Sequence, residues 1–327
     1  MLDFNVVHLA RTPLVGAPGK VSKAINLAGG KSTSFCLSDY PDKGGLFGKF
    51  IDNTIVINNA SSSVIDYFNG KLKSADIIHV HNEIDNSLCE LIQKFAPTAK
   101  CIYQVHSPKR EGPLYLDRSE FQGVDFVEKL TVAQYQPRQY PDYTLVPNLV
   151  MDMPSINLRK DTEPLRIMFT PSHNRGGRWN SKCSEKLDVA LNALKACNLI
   201  DLVQLEQPLH PSSLLDLRRT CHASIDEIVT GAYHQVSLEG LCAGNVVINA
   251  ADHVSKSMLS AVSNASVLPP FYYVDENNAL DALLELAKSP SLTREYQTAS
   301  NQFFVEYLTA TKLVKRFFEV YENALKN

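Results

Sequence analysis

Short unbroken apolar runs alternate with amphipathic stretches along the whole chain, and this pattern constrains the fold more than any other feature. Phe4-Asn5-Val6-Val7-His8-Leu9, Thr54-Ile55-Val56-Ile57, Ile77-Ile78-His79-Val80-His81 and Cys101-Ile102-Tyr103-Gln104-Val105 are continuous, as strands covered on both faces must be. Helical patterns at 21–28, 61–72 and 86–95 separate them. Repetition of strand and helix in this order builds a parallel α/β sheet. The character changes from 146 to 164, where Val146-Pro147-Asn148, Met153-Pro154 and the polar, aperiodic Asn157-Leu158-Arg159-Lys160-Asp161-Thr162-Glu163 read as an interdomain linker. The pattern then restarts. Strands are expected at 165–170, 202–205, 222–225 and 246–248, with helices at 183–197, from Pro211 onward, and at 234–242. A closing amphipathic run carries Phe303, Phe304, Tyr307, Leu308, Leu313, Val314, Phe317, Phe318 and Tyr321 as a packing helix. A chain of 327 residues suits two such domains.

Charge and cysteine content narrow the function classes. The formal charge is -3 and neither half is a basic block, which argues against a dedicated nucleic-acid binder. The 7 cysteines form no CxxC pair and sit mostly in apolar stretches, consistent with a reducing compartment and a cytoplasmic protein. No apolar run approaches the roughly 18 residues needed to cross a bilayer, so membrane contact is limited to a peripheral one at the inner face.

Several signatures are absent: no GxGxxG follows the first strand, and there is no Walker A, HExxH or EF-hand sequence. The spacing of His79-Val80-His81 is read as sending the two rings to opposite faces of a strand, which excludes a chelating pair; no metal ligand is assigned. Candidate chemistry lies instead in loops after strands. Arg11-Thr12-Pro13-Leu14-Val15-Gly16-Ala17-Pro18-Gly19-Lys20 offers Gly16 and Gly19 for close approach of backbone to a ligand ahead of a helix N-terminus. His106 follows the strand ending at Val105, where ligands of open α/β sheets bind. In Pro171-Ser172-His173-Asn174-Arg175-Gly176-Gly177-Arg178-Trp179-Asn180-Ser181-Lys182, the cations Arg175, Arg178 and Lys182 suit a diphosphate. Tyr233, His234, Ser237 and Glu239 lie at or just inside the start of a helix, where the dipole favours phosphate and a carboxylate can hold ribose hydroxyls.

The run Glu239-Gly240-Leu241-Cys242-Ala243-Gly244-Asn245-Val246-Val247-Ile248 resembles the donor-domain motif of the GT-B glycosyltransferases, close to glycosyltransferase family 4. That motif pairs two glutamates eight positions apart, with a small-residue run after the second. Val146-Pro147-Asn148, the strand from Leu165 and Asp76-Ile77-Ile78-His79-Val80-His81 also resemble that family. The chain departs from it at Gly231, which holds the place of the first glutamate, at His234 in place of a glycine, and at Val246 in place of a proline; Asp226 and Glu227 are candidates to replace the lost carboxylate.

The resemblance implies two Rossmann-like parallel-sheet domains facing a central cleft. These are an acceptor-side domain at 1–150, a hinge-like linker at 151–164, a nucleotide-sugar donor domain at 165–305, and a helix at 306–327 returning to the first domain. It further implies a hexosyltransferase for polysaccharide biosynthesis, without cofactor or metal, that uses a nucleotide-diphosphate sugar as donor and a glycan or glycolipid as acceptor, with retention. Arg175, Lys182 and Arg178 would then serve the diphosphate, Glu239 the ribose and catalysis, and His106 the reacting centre. A non-catalytic sugar- or nucleotide-binding protein and a nucleotide-sugar epimerase or hydrolase are the competing readings, because one fold hosts several activities.

Overall fold

The structure, a computed structural model, describes residues 4–39, 53–107, 120–134, 136–171, 184–205 and 209–326. Arg175, Arg178 and Lys182 lie outside the described residues, as does the segment 109–115. The chain divides into two compact units, Met1–Met151 with Ala310–Asn327, and Asp152–Thr309.

Unit 1 contains β1 (Asn5–Ala10), α1 (Ala17–Leu27), β2 (Lys31–Cys36), β3 (Thr54–Val56), α2 (Ser62–Lys73), β4 (Ile77–His81), α3 (Asn86–Phe95), β5 (Lys100–Val105), β6 (Glu120–Phe121), β7 (Val124–Val132) and β8 (Thr144–Val146). Its sheet runs β3-β2-β1-β4-β5-β7, with β8 also on β7 and β6 antiparallel at the edge. All five residues of β4 are buried, which is why that strand reads as an unbroken apolar run. Asp85 starts α3 by accepting from the Leu88 N–H at 3.0 Å. α1 begins earlier than its periodicity suggests, because Pro18 fits the first helical turn and Gly16 supplies the left-handed residue before it (φ 81°).

Unit 2 holds β9 (Leu165–Phe169), α4 (Glu185–Ala196), β10 (Ile200–Val203), α5 (Pro211–Arg219), β11 (Ala223–Ile225), α6 (Gln235–Cys242), β12 (Val246–Asn249), α7 (His253–Ser263), β13 (Tyr272–Tyr273), α8 (Ala279–Lys288) and α9 (Pro290–Phe303). The sheet is parallel throughout, in the order β10-β9-β11-β12-β13. Strand order reverses between β9 and β11, so the ligand-binding crevice of such a sheet is expected at their carboxyl ends.

The aperiodic stretch expected to be a linker is instead anchored on unit 2. Ser155 donates to the Cys242 carbonyl at 2.9 Å. Arg159 is only 4% exposed. Its guanidinium donates to the carbonyls of Leu286 (2.7 Å) and Ala287 (2.6 Å), two of the unpaired acceptors at the C-terminal end of α8. The absence of periodicity reflects a strap held by discrete polar contacts.

The closing amphipathic run is likewise two pieces. A π-helical turn at Phe304–Leu308 and an extended Thr309 (φ -61°, ψ 143°) interrupt it. Phe303, Phe304 and Leu308 are buried in unit 2, whereas α10 (Ala310–Lys326) packs on unit 1 through Leu313, Val314, Phe317 and Tyr321. Arg316 Nε donates to the Leu145 carbonyl at 3.1 Å, and the Tyr321 ring meets Phe4 edge-on. Among the described residues no helix is long and apolar enough to cross a membrane.

Replacing Arg159 by Leu is expected to destabilise unit 2 by about 3 kcal/mol, since it orphans buried carbonyls. That corresponds to a fall in Tm of at least about 6 °C by calorimetry. A fall below about 2 °C would show that the strap does not hold α8.

Candidate functional site

The loop joining β11 to α6 is organised by two adjacent carboxylates. Glu227 is fully buried, and its oxygens accept from the N–H groups of Val229 (2.9 Å), Thr230 (2.7 Å) and Ala232 (3.2 Å) and from the Thr230 hydroxyl (2.7 Å). The loop is wrapped around this side chain. Asp226, also buried, accepts from the His234 N–H and from Ser237 Oγ at 2.7 Å, and its other oxygen lies 3.1 Å from His234 Nδ1. His234 is the N-cap of α6 but makes no cap bond with its own side chain, so Asp226 performs that task from eight residues away. Both carboxylates are committed to the loop and the start of α6.

Gly231 is left-handed (φ +77°), and its carbonyl accepts from Asp252 N–H (3.1 Å) and Ser255 Oγ (2.8 Å). A Cβ there would stand 3.2 Å from Asp252 Oδ2, so both the backbone and the space oppose a side chain. Asp252 itself caps α7 through Ser255 N–H at 2.9 Å. A cavity of about 330 Å³ opens beside it, lined by Val229, Gly231, Asp252, Tyr273, Asp275 and Asn277 among others.

The α6 residues nominated from sequence divide into two groups. Tyr233 is 1% exposed, packs on Phe271 with ring centroids 5.7 Å apart, and has its phenol pKa raised by burial. Ser237 is fully buried between Asp226 and Asn249 Nδ2 (2.9 Å). Both support the loop and do not face solvent. His234 and Glu239 are part-exposed. Glu239 Oε2 lies 3.5 Å from an amino group of Arg218, whose guanidinium is buried and also donates to Ser224 Oγ at 3.0 Å. Sequence reasoning missed Arg218; its place near the end of an amphipathic helix looks like an ordinary basic last turn. The small-residue run after Glu239 has a packing reason: a Cβ on Gly240 would come within 2.9 Å of Val247 and 3.4 Å of Ser224.

The cationic loop starting at Pro171 follows β9, and the Asp226–His234 loop follows β11, its parallel neighbour, with Phe169 and Ile225 in register. The two segments nominated for the donor thus leave adjacent strand ends at the point of strand-order reversal.

In unit 1, Leu14 (φ 48°), Val15 (φ 55°) and Gly16 (φ 81°) form a left-handed turn after β1. Two non-glycine residues in that region store strain, a feature concentrated at functional loops. Gly19, by contrast, lies buried inside the first turn of α1 and is not a loop glycine. His106 follows β5, its N–H donating to Asn82 Oδ1 at 2.7 Å and its Nε2 lying 2.8 Å from His81 Nδ1. Burial lowers its pKa to about 4, so the ring is neutral near pH 7. The expectation that His79 and His81 face opposite ways is wrong: side chains two apart on a strand share a face. Their rings stack with centroids 4.2 Å apart, beside His8 of β1.

No protein-family model and no curated protein matches this sequence. Solved structures do. The chain is similar to an alpha-glucosyltransferase in complex with UDP and a 13-mer DNA containing a central A:G mismatch, at 11% identity over 98% of this chain and 100% of that one (TM-score 0.60). It is similar to a glycosyltransferase from Rickettsia africae, at 15% identity over 99% and 100% of the two chains (TM-score 0.59). A protein from Listeria monocytogenes assigned as a UDP-N-acetylglucosamine 2-epimerase is also similar, at 11% identity over 99% and 97% (TM-score 0.55). The chain has the GT-B fold.

Glu239→Ala leaves Arg218 buried without its carboxylate and is expected to destabilise unit 2 by about 3 kcal/mol. Glu239→Gln keeps an acceptor there, and its melting temperature should stay within about 3 °C of the parent. Equal melting temperatures for the two variants would mean that the Arg218 contact contributes nothing.

Proposed function

We propose that this chain is a glycosyltransferase that moves a sugar from a nucleoside-diphosphate donor to a glycan or lipid-linked acceptor, with retention at the anomeric carbon and no metal ion at the diphosphate. The observation that carries the reading is that the sequence segment with Arg175, Arg178 and Lys182 follows β9 and the Glu239-bearing segment follows β11, its parallel neighbour in the sheet of unit 2. UDP in the alpha-glucosyltransferase structure makes UDP-sugars the first donors to try.

In this reading Arg218 fixes one oxygen of Glu239 and leaves the other for the ribose hydroxyls. During transfer the bond from sugar C1 to the diphosphate oxygen breaks with its electron pair. The acceptor oxygen bonds to C1, and the acceptor proton passes to the departing diphosphate. Charge therefore develops on the diphosphate and must be met by fixed positive groups. Asp226 already places a negative charge at the start of α6, so the diphosphate leans on Arg175, Arg178 and Lys182 more than on the helix N-terminus. Asp252 takes the role of the missing first glutamate in this reading: its Oδ2 would lie 3.2 Å from a Cβ on Gly231, and it lines the acidic cavity, a lining suited to sugar hydroxyls. His106 and the strained Gly16 turn of unit 1 serve the acceptor side.

UDP at about 100 times its Kd should stabilise the protein by about 2.7 kcal/mol, with and without EDTA. Asp252→Asn retains the α7 cap and UDP binding, yet should lower the turnover of UDP-glucose at least about 100-fold, as loss of an interaction made in the transition state does. Unchanged turnover would remove Asp252 from the donor-sugar site. Free sugar or an epimerised donor as the main product would move the assignment to the hydrolase or epimerase reading. Absence of any nucleotide-dependent shift would leave a non-catalytic GT-B protein.

A further inference from the structure

A second cluster of chemistry lies inside unit 1 and meets His106 through His81. His8 and His79 face each other in register on β1 and β4, and His81 lies two residues further on, all fully buried. Three histidines in one core are unusual, because imidazole is a polar group that must be hydrogen-bonded when it leaves water. The contacts here are incomplete. His8 Nδ1 lies 2.9 Å from His81 Nε2, His81 Nδ1 lies 2.8 Å from His106 Nε2, and His79 Nδ1 lies 2.9 Å from the Tyr321 hydroxyl. One set of tautomers satisfies all three: His8 Nδ1–H donates to His81, His81 Nδ1–H donates to His106, and His79 Nδ1–H donates to Tyr321. It leaves lone pairs on His8 Nε2 and His79 Nε2, the two ring nitrogens of His8, His79 and His81 that are buried without a partner. Gln104, on the strand beside β4, is also buried, and its side chain interacts with His79.

We propose that His8, His79 and His81 form a buried transition-metal site, with Gln104 Oε1 as the oxygen available to complete it. Donor atoms of the three histidines already lie within 4.8 Å of one another. A tetrahedral ion with metal–nitrogen bonds of about 2.1 Å holds its ligands about 3.4 Å apart. Ring rotations that shorten the separations by at most roughly 1.4 Å therefore suffice once His81 Nε2 exchanges its hydrogen bond from His8 for the metal. The outer contacts are those a metal site needs, since a ligating imidazole is oriented by what its other nitrogen touches; Tyr321 and His106 take that role for His79 and His81. Burial drives the pKa of each ring down, so all three are in the neutral form that ligates. Among the described residues none of the three is hydrogen-bonded or ion-paired to a carboxylate. That donor set favours a borderline or soft imidazole-binding ion, Zn2+ or Cu+, over the hard Mg2+ or Ca2+. The site is structural: it ties β1, β4 and, through Tyr321, α10 into one body, and it has no part in binding the diphosphate.

The test is to denature the full-length protein, refold it with Zn2+, Cu+ under reducing conditions or Co2+, strip loose metal by gel filtration, and count metal per chain. About one tightly held ion is expected. X-ray absorption at the metal edge should show imidazole nitrogen ligands and no sulfur. The double variant His8→Leu, His79→Leu should retain less than about a tenth of that metal. Failure of the parent to retain any of the three ions would overturn the proposal, as would cysteine sulfur in the ligand shell or equal metal content in the double variant. Should the variant not fold, the ligand shell of the parent decides alone. UDP binding, measured separately, is untouched by either result.

Discussion

The buried carboxylate of Glu227 is what the β11–α6 loop of unit 2 depends on. A charge taken out of water is tolerated only when its oxygens are fully bonded, and here the bonds come from the loop's own backbone and Thr230. That requirement folds residues 227–232 into a tight turn, places Gly231 in the left-handed region and brings its carbonyl to the start of α7. Asp226 then fixes the opposite end by capping α6. Two neighbouring acidic residues thus position two helix starts, and the cavity beside Asp252 lies against the turn they define. Their conformational role consumes their hydrogen-bonding capacity.

The same geometry sets Gly231 and Asp252 against each other. A side chain at 231 is disfavoured because its Cβ would stand 3.2 Å from Asp252 Oδ2 in a backbone conformation that side chains rarely adopt. Asp252 therefore borders the ground that a residue at 231 would cover. The arrangement is mutually enforcing: with Asp252 at the α7 cap only glycine is comfortable opposite, and with glycine opposite the carboxylate of Asp252 has room beside the cavity.

Much of the architecture was legible because parallel strands covered on both faces cannot hide. β4 and β12 are continuous apolar runs, and the limits of α3 coincide with its periodicity because Asp85 marks the start. What escaped were features with no local period. Arg159 binds carbonyls more than a hundred residues away, so its stretch reads as a loose linker. Thr309 breaks an amphipathic run that looks uniform, since a π turn shifts the apolar face without changing composition. In the site, Gly231 and Glu239 were found because a motif pointed at them. Tyr233, Ser237 and Gly19 have the right residue types near helix starts, and only burial reveals that they are scaffold. Asp252 and Arg218 carried no signal, as an acidic helix cap and a basic last turn are ordinary.

The histidines of β1 and β4 show the opposite failure, a signal present and misread. A polar ring in the middle of an unbroken apolar strand is costly wherever it points, and strand period places His79 and His81 on one face. His8 joins them because parallel register sets β1 directly against β4 at the place where strand order reverses. Strand order brings the three rings together, and burial keeps them neutral. With no carboxylate bonded to them among the described residues, the unpartnered nitrogens are best compensated by a cation that accepts lone pairs, not by protonation, which burial opposes. The interior of unit 1 thereby gains a polar junction between sheet and terminal helix.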